Sequence, residues 1–178
     1  LDIYEEKLAK SQFLSQFEAL YLENNSATSA LSELPTAYDY IRLGHPLSSV
    51  LEWTIANLHQ LKAENVISFS SMTMPILAVL RKNLLDGKNT QILYQGELPA
   101  VFDAEVIQHI YGYRFDLKQI ENASDISTFD GSTIFISHQE RIGGFNLVPA
   151  IDFFVGLYPK LGSILAINGE QNNSYVSA

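Results

Sequence analysis

The sequence predicts an α/β protein: a mostly parallel sheet flanked by helices, preceded by an N-terminal helical arm. Three observations lead there. From Asn65 onward, short apolar runs alternate with stretches of helical period, joined by short connections. The first two dozen residues carry a helical stripe and are cut off from the rest by a polar, small-residue segment. The polar side chains suited to ligand chemistry gather at the ends of the predicted strands or on one preceding loop.

Taken in order, Asp2 to Asn24 reads as a helix, with Tyr4, Leu8, Phe13, Phe17 and Tyr21 at helical spacing. Asn24 to Thr36 reads as a linker, so residues 1–36 form an arm with its linker and residues 37–178 an α/β domain. Tyr38 to Pro46 is a loop bearing Tyr38, Tyr40 and Arg42. Ser49 and Glu52 have the spacing of a capping box ahead of Leu51, Ile55, Leu58 and Leu61, with Trp53 on the flank of that stripe. Strands are expected at Val66–Phe69, Gln91–Tyr94, Tyr113–Phe115, Thr133–Ser137 and Ser163–Ile167. Helices are expected at Met72–Leu85 (Ile76, Leu77, Leu80 and Leu84 inward), at Pro99–Tyr111 and from Pro149 through Tyr158, with a helical turn at Leu117–Glu121. Ligands of such sheets sit at the carboxyl ends of the strands. Those ends are expected to be Ser70–Ser71, Tyr94–Gln95, Ser137–His138 and Asn168, all on one rim.

Composition narrows the function classes. The 178 residues are 47% hydrophobic and 17% charged, a globular balance, with a net charge of −9. That charge disfavours nucleic acid or an anionic membrane as a partner, while leaving room for a local site for one phosphate. No run reaches the roughly 18 apolar residues of a membrane span, and the charged, mixed start does not read as a signal peptide. The absence of cysteine removes disulfides, thiolate metal sites and thiol catalysis, and fits a cytoplasmic protein. The four histidines are scattered without metal-ligand spacing, so no metal is expected.

Ser70 and Ser71 end a strand where a helix opens. A helix N-terminus offers unpaired N–H groups and a partial positive charge to an anion. A guanidinium and a phenol on the preceding loop, Arg42 and Tyr40, are side chains that a phosphate would recruit.

Tyr38-x-Tyr40-x-Arg42-x-Gly44-x-Pro46, then Leu51-Glu52, Ile55-Ala56-x-Leu58 and Ser68-Phe69-Ser70-Ser71, resembles the opening of the Cys/Met-metabolism group of pyridoxal-phosphate enzymes, the cystathionine synthases and lyases among them. Element order matches that group to about Asn168. The resemblance implies a fold type I large domain and pyridoxal phosphate as cofactor. It also implies an amino-acid substrate and a homo-oligomer in which Tyr40 and Arg42 reach the cofactor phosphate of the neighbouring subunit. The N-terminal helix then lies on a partner; the residues alone fit equally a helix packed on its own domain.

Several positions depart from the family pattern. Met72 stands where the family has glycine beside the phosphate. Tyr94 falls about three residues before the position of the ring-stacking tyrosine. His138 and its neighbours lack the family's loop asparagine. Asn168 stands for the aspartate that pairs with the ring nitrogen. The cofactor-binding set is therefore Tyr40, Arg42, Ser70, Ser71, Met72, Tyr94 and Asn168. No catalytic residue is assigned, since all seven lysines precede Asn168 and none matches the Schiff-base lysine. Three readings stay open. The chain is part of an enzyme of β- or γ-elimination or replacement on sulfur amino acids, or a degenerate relative that pairs with an active paralogue, or an unrelated α/β domain for a small phosphorylated ligand.

Overall fold

The computed structural model describes residues 6–35 and 45–169, with the backbone alone for residues 6–11. The chain divides into two compact units, Leu1–Thr54 and Ile55–Ala178. Among the described residues, no helix is long and apolar enough to cross a membrane.

In the first unit, α1 (Glu6–Leu22) realises the predicted arm helix. Part of the predicted linker is helical: α2 (Thr28–Ser32) is a single short turn of structure with no buried residue. The third helix, α3 (Pro46–Leu58), runs on into the second unit. Its start corrects the expected capping box. Pro46 occupies the first turn, where its missing N–H costs nothing. The Leu47 N–H donates to Nδ1 of His45 at 3.1 Å, and Ser49 is buried inside the helix rather than at its cap. Trp53 meets Phe17 and Tyr21 edge-on, with ring centroids 5.6 and 5.3 Å apart.

The second unit is a six-stranded sheet. Its strands are β1 (Val66–Phe69), β2 (Thr90–Gln95), β3 (Asp116–Gln119), β4 (Ser132–His138), β5 (Phe153–Tyr158) and β6 (Gly162–Ile167), in the spatial order β1-β6-β5-β4-β2-β3. The β3/β2, β2/β4 and β4/β5 pairs are parallel. β6 lies between β5 and β1 and is antiparallel to both. Five strands thus point one way and one returns. Helices α4 (Met74–Leu85) and α5 (Ala104–His109) cover one face, where Ile76, Leu80, Ile107, Ile92, Ile134, Val155 and Leu165 share one apolar core. The other face carries a line of rings: Phe135 against Phe154, Phe154 stacked on Phe145 at 4.5 Å, and Phe145 stacked on His59 at 3.9 Å.

Residues 149–158, expected to be a helix, contain β5. Pro149 sits second in a turn closed by the Ile151 N–H on the Val148 carbonyl at 3.0 Å, a position that suits proline. Every residue of β5 is buried, so its unbroken apolar run serves two covered faces. The strand placed at Tyr113–Phe115 and the helical turn at Leu117–Glu121 are likewise corrected to one strand, β3, at the sheet's edge and exposed throughout. In α4, Leu84 is 43% exposed and Asn83 turns inward instead, donating to Thr90 Oγ1 at 2.9 Å.

Candidate functional site

The five co-directional strands end in Phe69, Gln95, Gln119, His138 and Tyr158. Their carboxyl ends form one rim of the sheet. Because β6 returns antiparallel, its beginning belongs to this rim and its end to the opposite one.

At one side of the rim, β1 gives way to α4 through Ser70 and Ser71. Ser71 Oγ accepts hydrogen bonds from the N–H groups of Thr73 and Met74, at 3.2 and 3.3 Å, and so caps the helix itself. Pro75, next in the turn, has no N–H to offer. An anion at this turn therefore meets serine hydroxyls more than an open helix N-terminus. The half-buried Met72 side chain packs on the apolar core.

The β5–β6 hairpin lies directly against this turn. Gly162 has φ +105°, and a Cβ there would collide with the Phe69 carbonyl and stand 2.9 Å from Ser70 Cα. Only glycine allows so close an approach. Ser163 Oγ donates to the Ser71 carbonyl at 2.5 Å, and the Leu161 N–H closes the hairpin on the Tyr158 carbonyl at 2.9 Å. Lys160 is exposed at the tip of this hairpin, two residues before Gly162, on the same rim as Ser70–Ser71. The sequence comparison, which matched no lysine to the family's Schiff-base lysine, took the last strand to run with the others; the antiparallel β6 puts Lys160, which precedes it, on this rim.

Further along the rim, His138 Nε2–H donates to the Glu97 carbonyl at 2.9 Å. Gln139 Nε2 donates to Ser137 Oγ at 3.2 Å, and Ser137 Oγ to Gln95 Oε1 at 3.5 Å. Gln95 anchors the next loop through the Glu121 carbonyl at 2.8 Å. Tyr94 is half-buried against the apolar core, on the α4–α5 face. Beside the hairpin, Tyr158 is 5% exposed and its Oη has no hydrogen-bond partner. Burial raises the phenol above its ordinary value; the nearby Gly143 backbone, not placed for a hydrogen bond, offsets part of that electrostatically.

Asn168 does not stand on this rim. Its Nδ2 donates to the Val148 and Ile151 carbonyls at 3.0 and 2.8 Å, and its N–H to the Asp152 carbonyl at 2.8 Å, all at the opposite rim where β5 begins. Of the residues expected from sequence, the structure brings together Ser70 and Ser71, places Met72 and Tyr94 nearby with side chains turned to the core, and separates Asn168. Tyr40 and Arg42 lie outside the described residues. Lys160 is the addition. Its signal was present: two apolar runs separated by three residues and a glycine have hairpin spacing. Among the described residues no group of three or more side chains is arranged to hold a metal.

No protein-family model and no curated protein matches the sequence. Among solved structures, the chain is similar to metB from Corynebacterium glutamicum, at 14% identity and a TM-score of 0.42, covering 82% of this chain and 48% of that one. It is also similar to an aminotransferase, TlmJ, from Streptoalloteichus hindustanus, at 10% identity and a TM-score of 0.38, covering 73% of this chain and 46% of that one. The chain spans about half the length of each. Likenesses this low leave the site to be read from its own geometry.

Proposed function

We propose that the chain is the cofactor-binding domain of a pyridoxal-phosphate protein of fold type I, with the carboxyl rim as its site and Lys160 as the amine that meets the cofactor's aldehyde. The observation that carries this reading is the hairpin whose Gly162 and Ser163 pack on the β1–α4 turn, with Lys160 exposed at its tip on the same rim. The residues fit two ends of the cofactor. Ser70 and Ser71 offer hydroxyls to its phosphate, joined by Arg42 and Tyr40 of a neighbouring subunit as the sequence resemblance implies. When bound, the group would supply an electron-withdrawing ring.

Among the described residues, no strand end of this rim supplies the ring's third anchor. None of the five co-directional strands ends in a carboxylate, and the middle of the rim carries the neutral Ser137. A neutral hydroxyl does not hold a proton on the ring nitrogen. The domain is thus suited to binding the cofactor and poorly suited to using it as an electron sink. That favours a catalytically reduced relative acting as a subunit, paired with its own copy or with an active paralogue. Elimination or replacement on sulfur amino acids would need an acid held at the ring nitrogen, which none of these strand ends supplies.

Reductive trapping tests the reading. The chain is mixed with pyridoxal phosphate, treated with borohydride and mapped by mass spectrometry. A single adduct on Lys160, lost in Lys160→Ala, is expected. Adducts scattered over several lysines would overturn it. Arg42→Ala should weaken cofactor affinity about ten- to a hundredfold, the worth of one charged hydrogen-bond partner. Unchanged affinity would remove the loop from the phosphate site.

A further inference from the structure

A second concavity lies at the other rim. A cleft of about 760 Å³ opens where β2 and β3 begin and β4 is entered, within the roughly 300–1,000 Å³ of small-molecule sites. Its walls hold Arg114, Asp116 and Asp130 with Tyr113, Phe115 and Phe129. Among the described residues, the side chains of Arg114, Asp116 and Asp130 form no ion pair or hydrogen bond, with each other or with anything else. Charges of both signs thus converge on one cavity unspent. The backbone next to Asp130 packs closely on β2's entry: a Cβ on the adjoining Gly131 would stand 2.5 Å from the Asn89 carbonyl. Thr90 also lines the cleft, and its register neighbour Ser132 is 2% exposed with an Oγ that has no partner.

We infer that this cleft binds a free α-amino acid with an aromatic or apolar side chain. Arg114 takes the carboxylate in the two-pronged geometry natural to a guanidinium. Asp116 and Asp130 face the ammonium, and the aromatic wall covers the side chain. With two carboxylates and one guanidinium in its lining, the cleft disfavours a phosphate dianion, and the chain's net charge of −9 adds to that. A zwitterion satisfies both signs. This site is separate from the carboxyl rim and does not depend on what binds there.

Calorimetric titration of the full chain with L-phenylalanine tests it. Saturable binding at millimolar affinity or tighter is expected. N-acetyl-L-phenylalanine, which lacks the ammonium, and phenylethylamine, which lacks the carboxylate, should each bind at least about tenfold more weakly. Because these two use the unaltered protein, their result does not depend on a variant folding. Arg114→Gln should cause a similar loss, while Lys160→Ala leaves binding unchanged. Absence of saturable binding, equal binding of either analogue, insensitivity to Arg114→Gln, competition by inorganic phosphate, or loss in Lys160→Ala would each overturn the proposal.

Discussion

Tyr158 is a tyrosine used without its hydroxyl bond. A Cβ at Gly156 would lie 3.3 Å from the Tyr158 Oη, so the missing side chain at 156 is what lets the phenol fold back along its own strand. Burying a hydroxyl without a partner costs about 1–3 kcal/mol. Tyr158→Phe removes that cost and keeps the ring, so it should raise stability by about 1 kcal/mol near neutral pH, read as a higher urea midpoint. The same phenol gives a pH dependence. Its folded value lies above the ordinary 10.0, so below that value it is protonated in both states and stability is unaffected. Above it, the unfolded chain releases a proton that the folded chain still holds, and stability falls as pH rises. Tyr158→Phe should abolish that alkaline fall. A variant that loses stability at neutral pH would mean that the hydroxyl has a partner.

Among the elements, β6 decides how the site is assembled. Its composition says strand, and its direction is not a property of its own residues. Antiparallel pairing follows from the short Pro159–Leu161 connection, which no crossover can span. The direction moves Asn168 to the far rim and Lys160 to the near one. Read locally, Asn168 looks like an altered aspartate; in the fold it ties the end of β6 to the turn before β5 by donating to two carbonyls. Asn168→Asp separates these roles, since a carboxylate cannot donate. Loss of both bonds, with two carbonyls left facing a negative charge, should destabilise by about 2 kcal/mol or more and confer no gain in cofactor binding. A stable variant with tighter binding would restore Asn168 to the site. The strands themselves were legible where four to seven apolar or β-branched residues stood between breakers, as in β1, β2, β4 and β6. β5 was not, because a buried run after a proline has no period to separate strand from helix. β3 was not, because its exposed residues carry no burial pattern.

At the scale of the whole molecule, cohesion is uneven. β4, β5 and β6 are paired on both sides and almost wholly buried, while β3 pairs on one side and is exposed on both faces. Hydrogen exchange should therefore find β5 and β6 amides opening only with global unfolding and β3 amides exchanging through local opening. Equal protection of β3 and β5 would contradict this picture.

The place of β6 between β5 and β1 also sets an order of events at the ribosome. Val66 pairs with Ala166 and Phe69 with Ser163, so β1 leaves the exit tunnel long before the strand it pairs with among the described residues is made. At about 5–20 residues per second, that interval is about 5–20 seconds. Through it, Val66–Phe69 has two unpaired strand edges and no sheet to join. The first of these strands to be translated is thus among the last to be seated, and until β6 is made it stays open to pairing elsewhere.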